Sequence, residues 1–335
     1  MDGELVGGRY RLLRSLGEGA AAKVYAAESQ LFGQVALKML HEPLARDEEV
    51  VQRFVHEARA ASAVQHPNVV RVFDLGRHGR VPFMVMELCE GETLREVLDA
   101  RGAVGPLYAC ELVTQILSAL EAAHSAHIVH RDLKPANVMV VHPAPERPVI
   151  KVLDFGIAKR LLLADTHDDA KVFGTPSYMA PEQIRLRPVD HRADLYAVGA
   201  LLYELLTGKP PFRGATPAEV MTQVISRPPM PLRASDRALP RDLDELVRRC
   251  LAKNPARRPG SARELSQALE RYAGGPISVP PADRASHEPV PLMVRGAPPE
   301  TEAIPLRARP KKHPESSRGA APRLELVAEG DDDGA

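Results

Sequence analysis

Four short stretches hold residue types whose spacing could support chemistry. Residues 17–25 read GEGAAAKVY, 35–38 read VALK, 130–137 read HRDLKPAN and 154–156 read DFG. Gly17 and Gly19 let the backbone turn tightly and bring N–H groups close to an anion. The first stretch therefore either cradles a phosphate or makes an ordinary turn between strands, and two glycines alone do not decide. Lys38 ends an apolar run, where a lysine is costly unless a carboxylate pairs with it. In HRDLKPAN, Asp132 offers a carboxylate for proton transfer. Asn137 and Asp154 offer hard oxygen ligands of the kind Mg²⁺ takes. Either aspartate alone would pass for a simple loop residue. The set, with Lys38 and Glu57, argues for chemistry on an anionic substrate.

The elements that must position these residues follow from apolar periodicity. Arg9 to Leu16 and Lys23 to Glu28 flank the glycines like the arms of a hairpin, and QVALKML (34–40) has the branched apolar character of a third strand. DEEVVQRFVHEARAASAV opens at Asp47, a good N-cap with acidic residues in the first turn. Val51, Phe54, Ala58 and Ala61 recur there at helical spacing. Glu57 lies on this helix and is the expected partner of Lys38; Glu48 and Glu49 sit at the helix start, where the dipole explains them. PFMVMEL (82–88) reads as another strand. Beyond it the pattern turns helical, beginning at Gly105-Pro106 with a stripe of Leu112, Val113, Ile116, Leu117 and Leu120. The expectation is an α+β chain: a small strand-rich lobe with one helix (about 10–87), then a larger helical lobe (about 88–272).

Composition bounds the rest. The chain has 335 residues, with 44 basic and 44 acidic residues and a formal net charge of +0. That balance speaks against a general nucleic-acid binder. Cys89, Cys110 and Cys250 are odd in number and widely spaced, which disfavours a disulfide framework or zinc site and favours a reducing compartment. The start MDGELVGGRY carries no secretory stretch, and no window reaches ~18 uninterrupted apolar residues, so the expectation is a cytoplasmic protein without a membrane partner. From Ala273 to 335 there is no Phe, Tyr or Trp and proline is frequent, a composition expected to stay disordered.

VALK, HRDLKPAN, DFG and APE (180–182), in this order and at these intervals, resemble the eukaryotic-type protein kinase family in its serine/threonine branch. GTPSYMAPEQ and DLYAVGALLYELLTGKPPF look like its bacterial members. The resemblance covers roughly residues 10–272 and implies the bilobal protein-kinase fold, a phosphotransferase acting on Ser/Thr hydroxyls of protein substrates with ATP and Mg²⁺, and self-association for autophosphorylation. It implies Asp132 as the base, Lys134 at the γ-phosphate, Lys38 paired with Glu57 at the α/β-phosphates, and Asn137 and Asp154 as metal ligands. Leu16, Gly17, Glu18, Gly19 and Val24 would form the nucleotide loop, with Ala22 in place of its third glycine. Ala36, Met86, Glu87 and Cys89 would border the adenine. Glu182 would pair with Arg258, and Asp194 would tie down the catalytic loop.

Three other readings stay open: a catalytically inactive kinase-fold scaffold or interaction protein; a small-molecule phosphotransferase, against which GTPSYMAPEQ speaks; and a tail (273–335) that is an interaction module with the kinase domain as its regulator. Arg131 raises a further expectation, that a negative charge pairs with it, supplied by phosphorylated Thr166 or by Asp168 and Asp169.

Overall fold

The computed structural model describes residues 3–144, 147–154 and 176–273. In the small lobe, alternation of apolar and polar side chains builds the sheet. Six antiparallel strands run in the order β1-β2-β3-β4-β6-β5: β1 Leu5–Val6, β2 Tyr10–Glu18, β3 Ala22–Ser29, β4 Gly33–Leu40, β5 Val72–His78 and β6 Val81–Glu87. Successive residues of a strand point to opposite faces. Val35 and Leu37 therefore join Tyr10, Leu12, Phe83 and Val85 on one face. Ala36 and Leu40, with Lys38 between them, look to the other.

That other face is covered by α1, Glu48–Ala63, whose Val51, Phe54 and Ala58 pack on Ala36, Leu40, Met84 and Met86. Asp47 caps it as expected, Oδ1 accepting from the N–H groups of Glu49 (2.9 Å) and Val50 (3.3 Å). Glu57 lies one turn beyond Phe54, so the packing that seats α1 also aims Glu57 at Lys38.

The large lobe is built on two buried helices, α3 (Pro106–Ser125) and α5 (Arg192–Thr207), with α2 (Leu94–Arg101), α4 (Pro181–Ile184), α6 (Pro217–Ser226), α7 (Arg241–Cys250) and α8 (Ala262–Glu270) around them. Every residue from Ala193 to Leu206 is buried. Gly199 permits this: a Cβ there would stand 2.5 Å from the Cβ of Cys250. Cys110 and Cys250 are core residues.

The sequence reading missed three things. Leu5–Val6 adds a strand ahead of residue 10, Val72–His78 forms a full edge strand, and the large lobe carries a small sheet, β7 (Gly91–Thr93), β8 (Val138–Ala144) and β9 (Arg147–Val152). The hairpin β8–β9 is the most consequential. Val138 pairs with Val152, and Leu153 N–H donates to the carbonyl of Asn137 at 2.9 Å. Residues far apart in sequence, Asn137 and Asp154, are thereby brought to the same end of one hairpin.

Candidate active site

Lys38 is the centre of the first group. Its Nζ lies 2.8 Å from Glu57 Oε1 and 2.7 Å from Asp154 Oδ1. Burial disfavours the ammonium, but the two carboxylates outweigh it and hold the lysine charged, its pKa raised above the ordinary value. Glu57 is raised, chiefly by burial and against the pull of Lys38, with Asp154 and Asp132 adding to it. Glu49 is engaged elsewhere, with Arg53 at 2.7 Å, which leaves Glu57 as the partner.

The second group is the loop His130–Asn137. Lys134 Nζ donates to Asp132 Oδ2 at 3.1 Å. Asn137 Nδ2 donates to the Asp132 carbonyl (2.8 Å) and to its Oδ2 (3.1 Å). With its amide nitrogen so engaged, Asn137 presents its oxygen as an acceptor. His130 has a packing role: fully buried, its Nε2 sits 2.9 Å from the Leu153 carbonyl, and its Nδ1 accepts from Asp132 N–H at 3.2 Å. Arg131 and Asp154 both have positive φ, +65° and +46°. Non-glycine residues in that region store ~1–3 kcal/mol of strain each and persist only where neighbours over-determine them. Asp194 does this for the loop: Oδ2 accepts from His130 N–H (2.9 Å), and Oδ1 from Arg131 N–H (2.8 Å). His124 approaches the same carboxylate at 2.8 Å.

The third group is apolar. Val24, Leu88, Cys89 and Leu153 pack against the cluster containing Ala36 and Met86, and Ala36 pairs directly with Met86 in the sheet. Glu57, Met86 and Asp154 also border a small cavity with Met84 and Val70. A flat apolar ring would find its surface here, beside Lys38. Glu87 Oε1 is tied to Lys151 at 2.6 Å. The Cys89 thiol is pushed up to about 12 by burial and by Glu87, so it is a small hydrophobe and no nucleophile.

The glycine stretch forms the turn between β2 and β3. Neither Gly17, Gly19 nor Ala22 has positive φ, and a Cβ on Gly17 would meet nothing within 4 Å. The alanine at 22 therefore sits unstrained in β3, paired with Leu40. The backbone of the turn itself does not require glycine at these positions. Leu16 and Glu18 are exposed beside it.

Two residues of this neighbourhood were not found from sequence. His41 follows β4, and its Nε2 lies 2.8 Å from the Gly19 carbonyl and 4.0 Å from Glu18. Gln183, in α4, donates to the Arg131 carbonyl at 2.8 Å. The pairing Ala22↔Leu40 is the signal that carries His41 to the turn; for Gln183 no local signal exists.

Glu182 and Arg258 form a two-bond pair (2.6 and 2.8 Å), both buried. Phe155, Thr166, Asp168 and Asp169 lie outside the described residues.

Fold and site together define a protein kinase domain. The family model for the protein kinase domain matches residues 10–270, and the chain belongs to that family. It is 40% identical over 276 residues to the serine/threonine-protein kinase PknB of Mycobacterium tuberculosis, covering 80% of this chain and 43% of PknB. To the serine/threonine-protein kinase pkn3 of Myxococcus xanthus it is 40% identical over 279 residues, covering 80% of this chain and 50% of pkn3. The chain thus spans half or less of these relatives. Among solved structures, the M. tuberculosis PknI kinase domain superposes with a TM-score of 0.66 at 31% identity, covering 82% of this chain and 99% of that one. Members of the family act on proteins with ATP and a divalent cation. Among the described residues, no helix is long and apolar enough to cross a membrane.

Proposed function

We propose that this chain is a serine/threonine protein kinase that transfers the γ-phosphoryl group of ATP to Ser or Thr hydroxyls of proteins, its own chain included. One observation carries the reading: Lys38 is paired with Glu57 and Asp154, Asp132 is bonded to Lys134 and Asn137, and the β8–β9 hairpin brings the two sets together through the Leu153 N–H on the Asn137 carbonyl. Phosphoryl transfer needs alignment and positive charge more than covalent chemistry, and this arrangement offers both.

In the proposed mechanism, the apolar cluster around Ala36 and Met86 takes the adenine, and Glu87–Cys89 offers backbone groups to its edge. Leu16, Gly17, Glu18, Gly19 and Val24 cover the nucleotide. Lys38, oriented by Glu57, neutralises the α/β-phosphates. Asp132 orients the acceptor hydroxyl and takes its proton, and Lys134 stands beside it to balance charge on the transferred group. Asn137 and Asp154 would hold Mg²⁺; the hard oxygen donors fit it. When bound, the cation would supply charge neutralisation at the phosphates. Pro176–Tyr178 is buried, with Ser177 Oγ donating to the Phe212 carbonyl at 3.1 Å, which supports a peptide shelf beside the loop.

The same reading takes residues 10–272 as the catalytic domain, 273–335 as a separate tail and the cytoplasm as its compartment, and includes association of two copies during autophosphorylation. The test is incubation with labelled ATP and Mg²⁺, with phosphosite mapping. Asp132→Asn should lower transfer by ~10²–10⁴-fold with ATP binding retained. Full activity in that variant overturns the mechanism. Nucleotide binding without transfer by the parent chain would favour the inactive scaffold.

A further inference from the structure

The peptide unit joining Arg131 to Asp132 is held at both of its polar groups. Its carbonyl accepts from Gln183 Nε2 at 2.8 Å, across 52 residues of sequence. Its N–H donates to His130 Nδ1 at 3.2 Å. Gln183 Oε1 in turn accepts from the Ala180 N–H at 2.9 Å. A backbone N–H only donates and a carbonyl only accepts, so both Gln183 bonds coexist in one orientation of the amide alone. They also require a side chain offering a donor and an acceptor together. A carboxylate supplies only the second, and a lysine only the first.

The place of this contact matters. Arg131 is one of the two strained residues of the site, and it directly precedes Asp132. Asp194 holds its N–H from the buried helix α5. Gln183 holds its carbonyl from α4, the turn of helix that follows Pro176–Tyr178. Rotation of the 131–132 peptide would swing the Asp132 side chain, and the carbonyl restraint against that rotation comes from Gln183.

We propose that Gln183 is a positioning residue for Asp132: it fixes the peptide plane before the base and makes the base's orientation depend on how residues 176–184 are seated. The inference rests on the kinase reading above. It adds a route by which rearrangement of that segment would silence the base without touching the nucleotide site.

Gln183→Glu is the sharpest variant. It keeps the shape and the acceptor for Ala180 N–H, and sets a carboxylate oxygen against the Arg131 carbonyl. Misplacement of a catalytic group by about 1 Å costs on the order of 10²-fold, so kcat should fall about 10- to 100-fold. KM for ATP should stay within about 2-fold, since the nucleotide contacts are untouched. Amide hydrogen exchange over residues 129–134 should quicken, while the melting shift on adding MgATP persists. A kcat at least half that of the parent, or exchange at 129–134 unchanged, overturns the proposal, as does a fall in kcat matched by equal loss of ATP binding. Should Gln183→Glu not fold, Gln183→Met, which lacks both bonds without repulsion, is read by the same three measurements and criteria. The exchange experiment needs no turnover, so a parent chain without transfer activity would sink the kinase reading while exchange still decides the role of Gln183.

Discussion

Lys38 Nζ stands 2.7 Å from Asp154 Oδ1, as close as it stands to Glu57. The lysine thus links the helix-bearing small lobe to the end of the β8–β9 hairpin. MgATP at about 100 times its Kd should stabilise the fold by ~2.7 kcal/mol, read as a raised melting temperature. Asp154→Ala should remove most of the Mg²⁺-dependent part of that shift. A Mg²⁺ effect that survives intact would show that Asp154 is no metal ligand.

His41 fixes the tip of the glycine turn through the Gly19 carbonyl. A net hydrogen bond contributes ~0.5–1.5 kcal/mol, and losing it leaves the turn held by backbone bonds, Gly19 N–H to the Ala22 carbonyl and the residue 41 N–H to the Ala21 carbonyl, both 2.9 Å. His41→Ala should raise KM for ATP about 2- to 10-fold with kcat little changed. His41→Asn, which retains a donor, should recover part of the loss. An unaltered KM in the alanine variant contradicts this role.

The buried pair Glu182–Arg258 gives the largest stability effect. Arg258 also donates to the carbonyls of Ala252 (2.9 Å) and Arg192 (2.9 Å) and stacks 5.0 Å from the Tyr196 ring. Removing one partner of such a pair costs ~3–5 kcal/mol, because the other is left charged and buried. Arg258→Leu should lower the unfolding free energy by that order, measured by urea denaturation. Replacing both residues with apolar ones of similar volume should cost less than either single change.

His66 supplies a pH dependence with a defined sign. Its Nδ1 accepts from Asn68 N–H at 3.1 Å, and its Nε2 lies 3.1 Å from Ser118 Oγ. Burial lowers its pKa below the ordinary 6.5, offset by Glu121 and reinforced by Lys151. As pH falls the unfolded chain takes up this proton first. The contribution is fully present above pH 6.5 and is lost as pH falls through the lowered folded value. Chemical denaturation from pH 8 to pH 5 should show a smaller fall in stability for His66→Gln than for the parent. Equal slopes would remove His66 from the account.

How much of this was legible in the sequence depends on whether a residue's partner was near in the chain or fixed by a motif. Asp47 as a cap, Phe54 and Ala58 as the inward face of α1, and the strand around Lys38 follow from local periodicity. The Lys38–Glu57 pair followed from the cost of an unpaired lysine and the place of Glu57 on its helix, whereas Glu182–Arg258 and Asp194 with the loop were reached through motif resemblance. The strands at Leu5–Val6 and Val72–His78 escaped because an edge strand is stabilised by its neighbour and not by its own composition. The small β7–β9 sheet escaped because its short strands lie among helical patterns. Gln183 escaped for a sharper reason: one amide reaching another segment's carbonyl leaves no trace in spacing or hydropathy.

The burial of helix α5 on all sides has a consequence for when catalysis becomes possible. A helix without a solvent face is stable only once its surroundings have closed around it. The Asp194 carboxylate that holds the catalytic loop follows Arg131 by 63 residues. A chain emerging from the ribosome therefore exposes Asp132 long before the helix that shapes its backbone has been made. Partly folded chains carry Asp132 without the backbone geometry that Asp194 gives its loop.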